Sequence, residues 1–330
     1  MKNGMLLSAG ILAAIFAWTQ APATAQTALP PPGFHHLHLN SVDPDAAIAF
    51  YIRQFPASLR TTWGGLPALK APTNVLILFN KVDTPPAADS LQTAFWHFGW
   101  VVTDVRKKLE FYKTHPEVKL SPMYTTVDGE VVYVSSDAIP GARAQVEEAK
   151  AKGVKPAGGP GVMYIAGPDN ALIENVGNTP GVMERFNHVH LWQEDPFCAQ
   201  LWYQKHLNAS VAPALVQNPP RTEASCKVAR GERSFPGLTK GGTFRTPASG
   251  VLFDDVAIIW PVTQLDRPLA PTRGRVMDHF ALSVANLDAW VNKLSSEGVK
   301  FLEEPHRLGD TRAVMIEGPS REAIELVEVK

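Results

Sequence analysis

Four histidines occupy matched places in the chain. His36, His97, His188 and His279 each head a segment that closes seven residues later on Asp43, Asp104, Asp195 or Asn286, and the four segments align without gaps. Neutral imidazole is a ligand for divalent iron, nickel, copper or zinc, and a carboxylate completes such a set. Two carboxylates stand at matched places too. Glu174 and Glu325 lie in short apolar stretches that follow the Gly-Pro turns at Gly167-Pro168 and Gly318-Pro319. A lone histidine on a strand is usually structural. Histidines and carboxylates repeated in register point instead to a divalent metal held by a few protein ligands, with coordination positions left for chemistry.

The elements that must position them follow from the same repeats. His36 and His38 alternate with Leu37 and Leu39, and His188 and His190 repeat the pattern, which predicts strands with the histidines on one face. Asp43-Pro44 and Asp195-Pro196 predict helix starts with the Asp as N-cap and the Pro in the first helical position, and Asp104 and Asn286 can cap alike. Aromatic pairs ending at Tyr51, Tyr112 and Tyr203 fall two turns into those helices and are expected to pack on a sheet. Short strands follow at 75–79, 130–134, 256–260 and 312–316. The fold class expected is α+β, as four βαβββ modules, with insertions at 142–152 and 217–250 and a junction at 177–182.

The chain has 330 residues, a net charge of −1 and scattered rather than clustered basic residues. That excludes the electrostatic footprint of a nucleic-acid-binding protein and points to a small-molecule partner. Lys2, an apolar run from Met5 to Trp18 and the small residues Ala23-Thr24-Ala25 have the layout of a secretory signal peptide over 1–25, too short to span a bilayer. The expected location is therefore periplasmic or secreted, with no membrane association after cleavage. Only Cys198 and Cys226 are present; export would permit a disulfide between them, but the sequence alone leaves two buried thiols as an equal alternative. Homo-oligomerisation is left open.

On these residues the chain resembles the vicinal oxygen chelate superfamily, which contains glyoxalases, bleomycin-resistance proteins and extradiol ring-cleaving dioxygenases. The resemblance implies two domains, 33–177 and 185–330, each pairing two modules through curved mixed sheets around a cavity. Carried over residue by residue, it implies metal ligands His36, His97 and Glu174 in the first domain, and His188, His279 and Glu325 in the second. Two histidines and one carboxylate suit Fe(II), with Mn(II), Ni(II) or Zn(II) as alternatives. Tyr164 and His306 match two acid-base positions of the extradiol members, one in each domain. His38 and His190 are read as cavity-lining groups outside the ligand set. Trp96, Phe98 and Trp100 suit a flat substrate, although core packing explains them as well.

The departures narrow the function. The strands at 75–79 and 256–260 carry no carboxylate, which argues against a four-ligand glyoxalase site. Neither half combines the tyrosine with the histidine, since Met315 stands where the second tyrosine would be. The expectation is an extradiol-dioxygenase-like oxidoreductase acting on a catechol-like substrate. A lyase, isomerase or epimerase without oxygen chemistry, and a non-enzymatic binding protein, are the alternatives.

Overall fold

The computed structural model describes residues 29–87, 92–125, 131–135, 148, 151–154, 161–177, 181–234 and 243–329. The expected signal peptide, most of the helical stretch at 142–152 and parts of the insertion at 217–250 and of the junction at 177–182 lie outside the described residues.

The first module comprises β1 (Gly33–Ser41), α1 (Pro44–Gln54), β2 (Leu59–Trp63), β3 (Leu66–Lys70) and β4 (Leu76–Lys81). The second has β5 (Phe95–Val101), α2 (Val105–Lys113), β6 (Lys119–Ser121), a small ribbon of β7 (Tyr124–Thr125) and β8 (Val131–Val132), then β9 (Gly161–Ala166) and β10 (Leu172–Gly177). The third has β11 (Arg185–Leu191), α3 (Pro196–Leu207), a ribbon of β12 (Gly231–Ser234) and β13 (Thr243–Thr246), then β14 (Ala248–Phe253) and β15 (Val256–Pro261). The fourth has β16 (Met277–Val284), α4 (Leu287–Ser296), β17 (Phe301–Leu308), β18 (Thr311–Glu317) and β19 (Ala323–Glu328).

The helix starts fall where the Asp and Asn residues predict. Asp43 accepts from the Ala46 amide, Asp104 from Arg106 and Lys107, and Asn286 from Ala289, each satisfying donors that a helix start leaves orphaned. Asp195 occupies the N-cap position without a side-chain bond to the helix. Tyr51, Tyr112, Tyr203 and Trp290 are buried, whereas Phe111 is 43% exposed and stacks on His115 outside the sheet.

Two expectations for single strands are corrected. The segment at 130–134 contributes only the two-residue β8 to a ribbon apart from the main sheets. In the third module the strand after the helix is reduced to a single bridge, Ser210 to Leu252. The chain there runs into Pro213, Pro219 and Pro220, which have no N–H to give to a ladder. Cys226, on this stretch, forms a disulfide with Cys198 on α3.

The larger correction concerns which modules pair. One sheet runs β17-β18-β19-β16-β1-β4-β3-β2, and the other β14-β15-β11-β5-β10-β9-β6. The first module therefore shares a sheet with the fourth, and the second with the third, so the halves 33–177 and 185–330 are not the units that close around each cavity. All four leading strands carry the same pattern along their free edges, and nothing in that pattern specifies which two edges meet. The residues between the histidines form the core between the sheets. Leu37, Leu39, Phe280 and Leu282 of the first sheet and Phe98, Trp100, Val189 and Leu191 of the second belong to one buried cluster, and Phe34 stacks on Phe186 across it with centroids 5.7 Å apart. Each wholly buried aromatic contributes up to about 4–6 kcal/mol. A buried polar knot joins the third and fourth modules: Glu322 accepts from Gln193 at 2.6 Å, from the Tyr203 hydroxyl at 2.7 Å and from the Ser320 amide at 2.8 Å.

Candidate metal centres

With the core on one face of each sheet, the histidines are left on the other, at the seam between two leading strands. In the first sheet β1 and β16 are antiparallel, with His38 opposite His279 and His36 opposite Ala281; β19 then places Glu325 beside Ala281. In the second sheet β5 and β11 are antiparallel, with His190 opposite His97 and His188 opposite Gly99; β10 places Glu174 beside Gly99. The result is two centres of the same plan.

Centre 1 gathers His36, His38 and His279, and centre 2 gathers His97, His188 and His190, in each case with ring nitrogens within 4.8 Å of one another. Glu325 Oε2 lies 3.4 Å from His36 Nε2 and 3.8 Å from His279 Nε2. Glu174 lies 2.9 Å from His97 Nε2 through Oε2 and 3.7 Å from His188 Nε2 through Oε1. All six ligands expected from the sequence are thus in centres, but regrouped: His36, His279 and Glu325 in one, His97, His188 and Glu174 in the other. His38 and His190, expected outside the ligand set, are within it spatially.

A local device repeats at each leading histidine. The ladder shifts register across His35, Trp96, Asn187 and Asp278, the residue before each one. An extra residue in a ladder re-aims its side chain, so these four face the centres rather than the core. Asp278 Oδ1 is 2.7 Å from His279 Nδ1, Asn187 Oδ1 is 3.0 Å from His188 Nδ1, and the Nδ1 atoms of His35 and His36 are 2.8 Å apart. Such partners fix which ring nitrogen is free for a metal. Sequence reasoning missed them, although three of the four are polar at the same offset. It also missed Gly99: a Cβ there would lie 2.0 Å from the His188 ring.

Burial keeps most of the rings neutral. It lowers His38 and His97 to about 3 and His35 and His188 to about 4, the latter two against the pull of Glu325 and Glu174, and it holds His36 and His190 well below the ordinary value. His279 is the exception. Burial lowers it too, but Asp278 and Glu325 outweigh burial and raise it to about 9. Neutral imidazole and ionised carboxylate are the forms that bind a divalent cation. Apart from the histidine-carboxylate contacts within each cluster, the buried atoms His36 Nε2, both ring nitrogens of His97, His188 Nε2, His190 Nδ1, His279 Nε2 and Glu325 Oε2 have no hydrogen-bond partner. Unsatisfied buried polar atoms are costly, and so many converging in two clusters fit a metal site.

The acid-base candidates are split between the centres. Tyr164 lies across the strand pair from Glu174, its ring centroid 5.0 Å from that of His97; burial first, and then Glu174, push its phenol well above the usual range. His306, on β17, brings Nε2 to 4.0 Å from Glu325 Oε1. Met315 occupies the place in centre 1 that Tyr164 occupies in centre 2. Of the three aromatics expected to favour a flat substrate, Phe98 and Trp100 are wholly buried in the core. Only Trp96 flanks a centre, with centroids 4.4 Å from His97 and 6.3 Å from Tyr164. Trp63 takes the corresponding side of centre 1, at 4.5 Å from His35 and 5.5 Å from His36, and lines a cleft of about 540 Å³ that includes Leu308 and Glu328.

Residues 185–326 match the model of the Glyoxalase/Bleomycin resistance protein/Dioxygenase superfamily. No curated protein sequence matches the chain. Among solved structures, glyoxalase I from Zea mays is similar with a TM-score of 0.57 and 16% identity, covering 90% of this chain and 92% of that one. A putative dioxygenase from Bacillus subtilis subsp. subtilis str. 168 is similar with a TM-score of 0.52 and 12% identity, covering 91% and 86%. At these identities the likeness is one of fold.

Proposed function

Because residues 185–326 match the model of the Glyoxalase/Bleomycin resistance protein/Dioxygenase superfamily and the chain has a related fold over nearly its whole length, we propose that the protein is a divalent-metal enzyme of the extradiol-dioxygenase type, acting on a small catechol-like substrate. The observation that carries the reading is the pair of buried His-His-Glu clusters, in which the Nε2 atoms of His36, His97, His188 and His279 have no hydrogen-bond partner outside the cluster. Fe(II) is the metal proposed, with Mn(II), Ni(II) and Zn(II) as alternatives on the same donors. When bound, the cation supplies Lewis acidity toward two adjacent substrate oxygens and, for iron, access to O2 chemistry.

The remaining roles belong to the chain. His36, His279 and Glu325, or His97, His188 and Glu174, hold the cation, and the bulged Asp278 and Asn187 orient their histidines. Tyr164 stays protonated beside Glu174 and is placed to give or take a proton at a substrate oxygen in centre 2. His306 is the corresponding group at centre 1. Trp96 offers a flat aromatic wall. Export to the periplasm or medium is part of the proposal, supported by the leader-like N-terminus and the Cys198–Cys226 disulfide.

The test is oxygen uptake with a panel of catechols after Fe(II) reconstitution, alongside metal analysis of the protein and of His36→Ala and His188→Ala. Uptake matched to ring-cleaved product, with one metal lost in each variant, is the expected result. Turnover that proceeds equally without O2 would replace this reading with a lyase or isomerase. Undiminished metal content in both variants would remove the assigned ligands.

A further inference from the structure

We propose that His38 and His190 are themselves metal ligands, each standing in for a carboxylate that Leu78 and Ile259 cannot supply, so that both centres are three-histidine, one-glutamate sites. The inference rests on the metal reading above and concerns how that metal is held.

The argument comes from register. In the fourth module, Glu325 on the last strand lies beside Ala281, two residues after the leading His279; in the second, Glu174 lies beside Gly99, two residues after His97. The same positions in the first and third modules are Leu78, beside His38, and Ile259, beside His190. The four half-sites therefore fall into two kinds. Where the last strand carries Glu, the neighbouring leading-strand residue is Ala or Gly. Where it carries Leu or Ile, that residue is His. Both centres contain one half-site of each kind, so the donor has moved one strand sideways in each, and the total of four is kept.

The geometry agrees. Donors held about 2.1 Å from one cation are about 3.0–4.2 Å apart, and the ring nitrogens of each cluster, His38 or His190 included, already lie within 4.8 Å of one another. His38 stacks on His279 with centroids 4.4 Å apart, and His190 on His97 at 4.5 Å. His190 Nδ1 is buried without a hydrogen-bond partner. Replacing a carboxylate by an imidazole also leaves the loaded centre with a net charge of +1 instead of zero, which favours a substrate that binds as an anion through two adjacent oxygens.

X-ray absorption on the Zn(II)-loaded wild-type protein counts imidazoles without any substitution, and three per metal are expected. In the His38→Ala, His190→Ala double variant the count falls to two. Zn(II) affinity, measured by chelator competition, falls by at least the about 10–100-fold that loss of an outer-shell partner costs. Adding Leu78→Glu and Ile259→Glu to that variant restores affinity with the count still at two. Two imidazoles in the wild type, or an unchanged affinity in the double variant, would overturn the assignment while leaving the metal reading intact. A wild-type protein that binds no divalent metal would overturn both.

Discussion

Acid should unfold the metal-free protein at an unusually mild pH. Six histidines, namely His35, His36, His38, His97, His188 and His190, are held neutral by burial in the folded chain, His38 and His97 at about 3, His35 and His188 at about 4, and His36 and His190 well below the ordinary value. In the unfolded chain each titrates near 6.5, so below that pH the unfolded state binds more protons and stability falls as pH falls. Between pH 7 and 5.5 each such residue costs about 1.2 kcal/mol, from about 1.4 kcal/mol per pH unit once the unfolded imidazole is protonated. Glu322, whose carboxyl is raised by burial, acts in the opposite sense. His279, raised to about 9, also acts in the opposite sense, because the fold holds its proton before the unfolded chain binds one, and it offsets about 0.8 kcal/mol between pH 7 and 5.5. The net loss is about 6 kcal/mol, a large share of the about 5–15 kcal/mol that holds a typical domain folded. Urea denaturation of chelator-treated protein at pH 7.0, 6.5, 6.0 and 5.5 measures it. A loss below the single-histidine value of about 1.2 kcal/mol would refute the account of the centres as buried, neutral clusters.

The two centres should also separate on mutation. At pH 7.5, Zn(II) binding to centre 1 should displace a proton from His279, which is raised to about 9, whereas the histidines of centre 2 are already neutral. Calorimetry in buffers of different ionisation enthalpy should report about one proton for two metals, and Asp278→Asn should weaken only the proton-releasing site, by about 10–100-fold. Gly99→Val drives side-chain atoms into the His188 ring, so metal content should fall from two per chain to one with centre 1 retained; loss of both would mean that the substitution unfolds the sheet. Removing the disulfide with Cys198→Ala and Cys226→Ala, which opens a link across 28 residues, should lower stability by about 2–4 kcal/mol in chemical denaturation.

Much of this was legible in the residues. The strand-helix repeats and three of the four side-chain caps follow from alternation and cap chemistry, and the six residues that the family resemblance pointed to stand together in two clusters. Pairing was not, because a leading strand's outward pattern is the same whichever partner strand it meets. The roles of His35, Asn187 and Asp278 were hidden for a different reason: strict alternation points residues 35, 187 and 278 away from the histidines, and only a bulge turns them back, so that their shared polarity was the one trace of it in the sequence. Phe98 and Trp100 were ambiguous between substrate wall and core until the strand's facing was known, and burial resolves them as core.

The crossed pairing also sets an order of assembly. Centre 2 joins β5 to β11, segments about 90 residues apart in the chain, whereas centre 1 joins β1 to β16 across about 240. Closing the longer span costs about 0.9 kcal/mol more in chain entropy, and during synthesis β1 can pair with β4 on one edge while its other edge has no partner until β16 of the fourth module has been made. That edge of β1 is thus among the last to be covered, and until then it is open to a neighbouring copy. Hydrogen-exchange pulse labelling should find the amides that join β5 to β11 protected before those that join β1 to β16.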